Sequence, residues 1–102
     1  MDYVGKLTKS GGVVKIQPGG SRLSKRLDLV NHSPDGFAWG YCGSGPSQLS
    51  AAILADHTGD DAFAVKHYQN FKFEVIAKLP RAGFTLRGSE IDAWIKKAKA
   101  SG

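Results

Sequence analysis

The sequence predicts an α+β fold in which a short antiparallel N-terminal sheet packs against three C-terminal helices. Three observations predict it. β-Branched and alternating residues crowd the first third of the chain. Helical periodicity with cap residues runs through the remainder. Glycine and proline clusters cut the chain into short elements, with no linker, repeat or low-complexity block between them.

Taken in order, Tyr3-Val4-Gly5-Lys6-Leu7 reads as a first strand, and Gly11-Gly12 as the turn after it. Val13-Val14-Lys15-Ile16-Gln17 is a second strand that Pro18-Gly19-Gly20 ends. Leu27-Asp28-Leu29-Val30 alternates apolar and polar residues, as a third strand or an edge would. Asn31 to Gly36 carries a strong turn signal. Phe37, Trp39 and Tyr41 then alternate, which is β period and puts the aromatics on one face.

Pro46 suits the first position of a helix capped near Ser44 or Gly45. Leu49, Ala52 and Ile53 form its buried stripe, and Gly59 supplies its C-terminal turn. Asp60 or Asp61 caps a second helix. Its seam holds Val65, Tyr68, Lys72, Val75 and Leu79, with Phe71 and Ile76 beside it, until Pro80 ends it. Phe84-Thr85-Leu86 is a bridge or an extended link. Ser89 caps a third helix, with Asp92 placed to bond back, and Ile91, Trp94, Ile95 and Ala98 form its apolar face.

The chain of 102 residues reads as a single domain spanning 1–102. Its lone cysteine, Cys42, excludes an internal disulfide and fits a reducing cytoplasm. No segment approaches the roughly 18 apolar residues of a membrane span, and Met1-Asp2-Tyr3 does not begin a signal peptide. The expected location is therefore cytoplasmic. The formal charge of +5 favours acidic partners. Lys6, Lys9, Lys15, Arg22, Lys25 and Arg26 face only Asp2 and Asp28 in the first third, and Lys96, Lys97 and Lys99 close the last helix.

The stretch from Phe37 to Leu49 is the richest in backbone constraint, with Gly40, Gly43, Gly45 and Pro46 ahead of a helix. Amides at a helix start can hold an anion. Here Pro46 removes one donor and no lysine stands where a P-loop needs it, so a structural corner is the better reading. Cys42 lies before a helix start, which favours a reactive thiol, but none of His32, His57 and His67 has a spacing that implies contact with it. Gly43-Ser44-Gly45 lacks the nucleophile-elbow pattern. His57, Asp60, Asp61 and His67 lack the spacing of a metal site, and helix capping accounts for both aspartates. No catalytic residue, metal or cofactor is expected.

Ser33-Pro34-Asp35-Gly36-Phe37-Ala38-Trp39-Gly40-Tyr41, then Gly43-Ser44-Gly45-Pro46-Ser47-Gln48-Leu49, resemble the signature of a small domain family of unknown function from bacteria, plasmids and phages. The resemblance continues through Tyr68-Gln69-Asn70-Phe71-Lys72, Val75 to Pro80, and Glu90-Ile91 with Trp94. It implies context more than activity, because the family has no established catalytic residues to carry over.

Together these readings make the leading expectation a non-enzymatic binding protein from a phage or plasmid. It is expected to inhibit a host defence complex, as anti-CRISPR proteins do, by direct protein contact. The positive charge argues against mimicry of nucleic acid. The expected contact residues are Arg22, Lys25, Arg26, Tyr41, Gly43, Ser44, Gly45 and Ser47. The alternative is a nucleic-acid-binding accessory protein using the same cations with Lys96, Lys97 and Lys99. A third reading is a small nucleotide- or phosphate-binding protein built on the glycine loop.

Overall fold

The structure, a computed structural model, describes residues 1–100. Strands β1 (Asp2–Thr8) and β2 (Gly11–Gln17) form a hairpin. Its turn is Lys9-Ser10 rather than the expected Gly11-Gly12. Gly11 opens β2 at φ +111, a conformation that favours glycine, while Gly12 lies within the strand. β3 (Ser21–Arg22) and β4 (Gly83–Leu86) complete an antiparallel sheet of order β3-β2-β1-β4.

The register sorts the side chains into two faces. Tyr3, Gly5, Val14, Ile16, Phe84 and Leu86 share the face that builds the core. Gly5 is required there, because any Cβ would run into the Phe84 ring. Val4, Lys6, Val13, Lys15, Arg22 and Thr85 share the opposite face. Tyr3 is fully buried and its hydroxyl donates to Asp56 at 2.6 Å. Burial first, then the carboxylate, hold that hydroxyl protonated well above the usual tyrosine range.

Two expected strands take other forms. The alternation of Leu27 to Val30 belongs to a turn, in which the amides of Leu29 and Val30 both point at the Arg26 carbonyl. Leu29 still packs against the core, so alternation served burial rather than pairing. Phe37 to Tyr41 makes a single bridge, Phe37 to Gly12.

Helix α1 (Ser44–Thr58) lies at the centre, buried on every side from Gly45 through Ala55. The expected stripe of Leu49, Ala52 and Ile53 is buried, but so is the rest of that span. Pro46 is the third helical residue rather than the first, still within the turn whose amides have no helical partner. Gly59 closes the helix at φ 68, its amide donating to the Ala55 carbonyl.

Helix α2 (Asp61–Glu74) is capped by Asp60, whose carboxylate accepts the Phe63 amide at 3.0 Å. It stops at Glu74, short of the expected Leu79, and a 3₁₀ turn spans Ile76–Lys78. The chain leaves α-helical geometry at Val75 (φ −122, ψ −62), and Pro80 bars a helix from running on to Leu79. In a continuous helix the Pro80 ring would strike the Ile76 carbonyl and leave it without a donor. Instead that carbonyl accepts the Gly40 amide at 3.0 Å and the Leu79 amide at 3.3 Å. Ala64, Phe71 and Ile76 are fully buried, whereas Val65 of the expected seam is exposed.

Helix α3 (Gly88–Ala100) starts one residue before the expected cap, so Ser89 is inside it. Glu90 bonds back to the Arg87 amide, and Asp92 pairs with His57 of α1 rather than with Ser89. Gly88 donates to Asp2 at 3.0 Å, and a Cβ there would collide with the Met1 carbonyl. Trp94 meets Phe71 edge-on at 4.9 Å and donates to Glu74 at 3.1 Å, which seats α3 on α2.

Candidate functional site

The segment before α1 crosses the end of the sheet and then reverses. Phe37 and Trp39 turn inward and are buried. Trp39 meets Phe84 edge-on at 4.9 Å, and its Nε1 donates to the Pro80 carbonyl at 2.9 Å. Gly40 then adopts φ +83, which any side chain resists. The reversal sends the third aromatic outward, so Tyr41 is 41% exposed and does not share the face of Phe37 and Trp39.

Tyr41 does not hang free. The Arg81 guanidinium lies 4.8 Å from its ring centroid, a cation–π stack. The flanking glycines make room for it. A Cβ on Gly40 would collide with the Arg81 stem and sit 2.8 Å from the Leu79 carbonyl. A Cβ on Gly43 would sit 2.7 Å from the Tyr41 ring. Gly45 has a separate task, since its Cβ would lie 2.6 Å from that of Ala38. The glycines the sequence marks are thus spaces for named neighbours.

Tyr41, Ser44 and Gly45 line a groove of about 490 Å³ together with Ser33, Asp35 and Gly36 of the preceding turn and Ser10 to Gly12 of the β1–β2 hairpin. Lys25 adjoins that turn, where its Nζ donates to the Pro34 carbonyl at 3.1 Å. Ser47, expected as a contact residue, is instead buried with Pro46 because it faces into the helix-packed interior, and its amide donates to the Gly43 carbonyl at 3.0 Å. Arg22 stands on the outer sheet face. Arg26 is bound to Asp28 at 3.0 Å and Asp61 at 2.8 Å. Those hydrogen bonds, Asp28's first, hold the guanidinium protonated above its ordinary range and Asp28 below the usual carboxylate range. Of the expected contact residues, Tyr41, Ser44 and Gly45 line the groove, Gly43 leaves room for the Tyr41 ring, Lys25 bonds the turn at Pro34, and Arg22 and Arg26 stand apart.

The other titratable groups are dispersed. Cys42 is exposed. His32 lies 2.8 Å from the Tyr68 hydroxyl, His57 is 2.6 Å from Asp92, and His67 stacks on Phe63 at 4.4 Å. Among the described residues no cluster of His, Cys, Asp and Glu is arranged to hold a metal ion. No helix among them is long and apolar enough to cross a membrane.

Arg81 stands in no sequence motif, and Gln48 stands in the family signature without a role that the sequence assigns. Gln48 is fully buried in α1. Its Nε2 donates to the carbonyls of Lys25 at 2.6 Å and Val30 at 2.9 Å. Its Oε1 accepts the amides of His32 at 2.9 Å and Ser33 at 3.1 Å. One amide thereby satisfies two donors and two acceptors of the loop that leads into the groove. The available signal was a long amide side chain at the head of the apolar run Leu49 to Ala55, since a buried amide requires partners.

No curated protein and no solved structure matches this chain. The model of a family of unknown function, DUF6166, matches residues 3–97, and the chain belongs to that family.

Proposed function

We propose that this chain is a non-enzymatic binding protein that works by direct contact with a partner protein, through the Tyr41–Arg81 stack and the groove beside it. The observation that carries the reading is an exposed tyrosine stacked on an arginine and framed by glycines whose missing side chains make the space. Tyrosine and arginine are enriched among the residues that dominate protein interfaces. A stack already formed before binding loses little rotamer freedom when a partner closes over it. Tyr41, Gly43, Ser44, Gly45 and Lys25 belong to this surface, and the buried Ser47 holds the loop through its amide on the Gly43 carbonyl.

The partner class in this proposal is a host defence complex of a bacterium, such as a CRISPR effector. Its support is the resemblance to small phage and plasmid proteins together with a charge of +5, which suits contact with an acidic protein surface better than imitation of nucleic acid. The test is a pull-down with the purified chain against a bacterial lysate containing such a complex. The wild-type chain is expected to retain a defence protein, and Tyr41→Ala with Arg81→Ala to lose it. Retention of no host protein, or equal retention by the double variant, contradicts the proposal.

A further inference from the structure

We infer that the outer face of the sheet is a second binding surface, which holds the phosphate backbone of a nucleic acid without reading its sequence. The register sets Lys15 of β2 directly opposite Arg22 of β3, with Lys6 of β1 beside Val13. Like charges directly opposite on a sheet face repel and destabilise the pair. All three cations are exposed, and none has an ion-pair or hydrogen-bond partner among the described residues. The acid in register on this face, Asp2, is at its rim and accepts the Gly88 amide. An uncompensated cluster of this kind is relieved by an anionic partner.

The shape and composition select the class of anion. Val4 and Val13 floor a shallow depression of about 380 Å³ between the cations, so the face is broad rather than a closed pocket for a small ligand. It presents no aromatic side chain, which removes the stacking platform that reads single-stranded bases. Two of its three cations are lysines, a residue depleted in protein–protein interfaces. Lysine and arginine together are the usual contacts to phosphate, where they fix position and carry no sequence information. The result is a salt-sensitive, sequence-tolerant contact. It lies on a different surface from the Tyr41 groove and uses Lys6 and Lys15, which no motif marks.

The test is fluorescence anisotropy with labelled duplexes of unrelated sequence and the full chain. Three phosphate contacts give a slope of about −2.7 in log K against log salt, an affinity loss of about 40-fold from about 50 to about 200 mM salt. Lys15→Gln is expected to shrink the slope by about 0.9, and Lys6→Gln to do the same as an independent variant. Arg22→Gln removes the like-charge pair, so it is expected to melt at or above the wild-type temperature while binding DNA more weakly. Unrelated duplexes should compete equally, and poly-glutamate should not. Absence of binding at about 50 mM salt overturns the inference. So does unchanged binding by the triple glutamine variant, or displacement by poly-glutamate, which would assign the face to an acidic protein.

Discussion

At Gln48 a single amide holds backbone groups of Lys25, Val30, His32 and Ser33, and all of them lose a partner if it is replaced by a side chain of similar size that cannot bond. Gln48→Leu is expected to lower unfolding stability by about 3–5 kcal/mol, because each buried group left unpaired costs about 1–3 kcal/mol and part of the loop gains water. Urea denaturation measures it, and a loss below about 1 kcal/mol contradicts the assignment. Gly40 carries a second, separable cost. Gly40→Ala meets both an adverse φ of +83 and the Leu79 carbonyl, whereas Gly59→Ala meets an adverse φ of +68 in open space. The first is expected to cost more than about 2 kcal/mol and the second about 1 kcal/mol. Equal losses would show that the space around Gly40 is not what demands glycine. The sequence displays these glycines as a cluster, but which neighbour each one clears depends on residues such as Arg81, far along the chain.

At the scale of elements, local chemistry placed most of the helices and two of the strands. β2 is legible because Val13 to Gln17 combines β-branching with alternation, and α2 because Asp60 caps it. The short elements are not legible in this way. β3 has two residues, too few for any period, and it exists because β2 offers an edge. The aromatics Phe37 and Trp39 read as a strand because burial of alternate side chains has the same signature with or without a paired backbone. The helical seam continues to Leu79, but α2 does not, because Pro80 acts four residues upstream, on the Ile76 carbonyl, and the chain has left α-geometry at Val75. Helix α3 buries Gly88 and Ile91 and leans on α2 through Trp94. Trp94→Ala is expected to destabilise the chain by about 2–3 kcal/mol, somewhat below the range for a fully buried tryptophan. Hydrogen exchange should rise first in α3. Uniform loss of protection across all helices would contradict a separately seated α3.

Over the whole molecule, the sheet has one face committed to the core and one left bare, and the chain reverses at Gly40 to put an aromatic outside. The α+β class was legible from composition and period. The site was legible in part. Tyr41, Gly43, Ser44 and Gly45 stand out as a loop with a required shape, and Lys25 bonds Pro34 in the turn whose residues Ser33, Asp35 and Gly36 line the same groove. Arg22 and Arg26 join them in the sequence reading by charge alone, yet the fold sends Arg22 to the sheet face and binds Arg26 to two carboxylates. Charge along a chain says little about which way a side chain points once strands and turns intervene. The central claim, that Tyr41 and Arg81 anchor a protein partner, is tested most directly by the dissociation constant for the retained defence protein. The account predicts that Tyr41→Ala, folded as judged by its melting curve, weakens that constant by at least about 30-fold, equivalent to about 2 kcal/mol at the centre of an interface. A Tyr41→Ala variant that binds as tightly as the wild-type chain would contradict it.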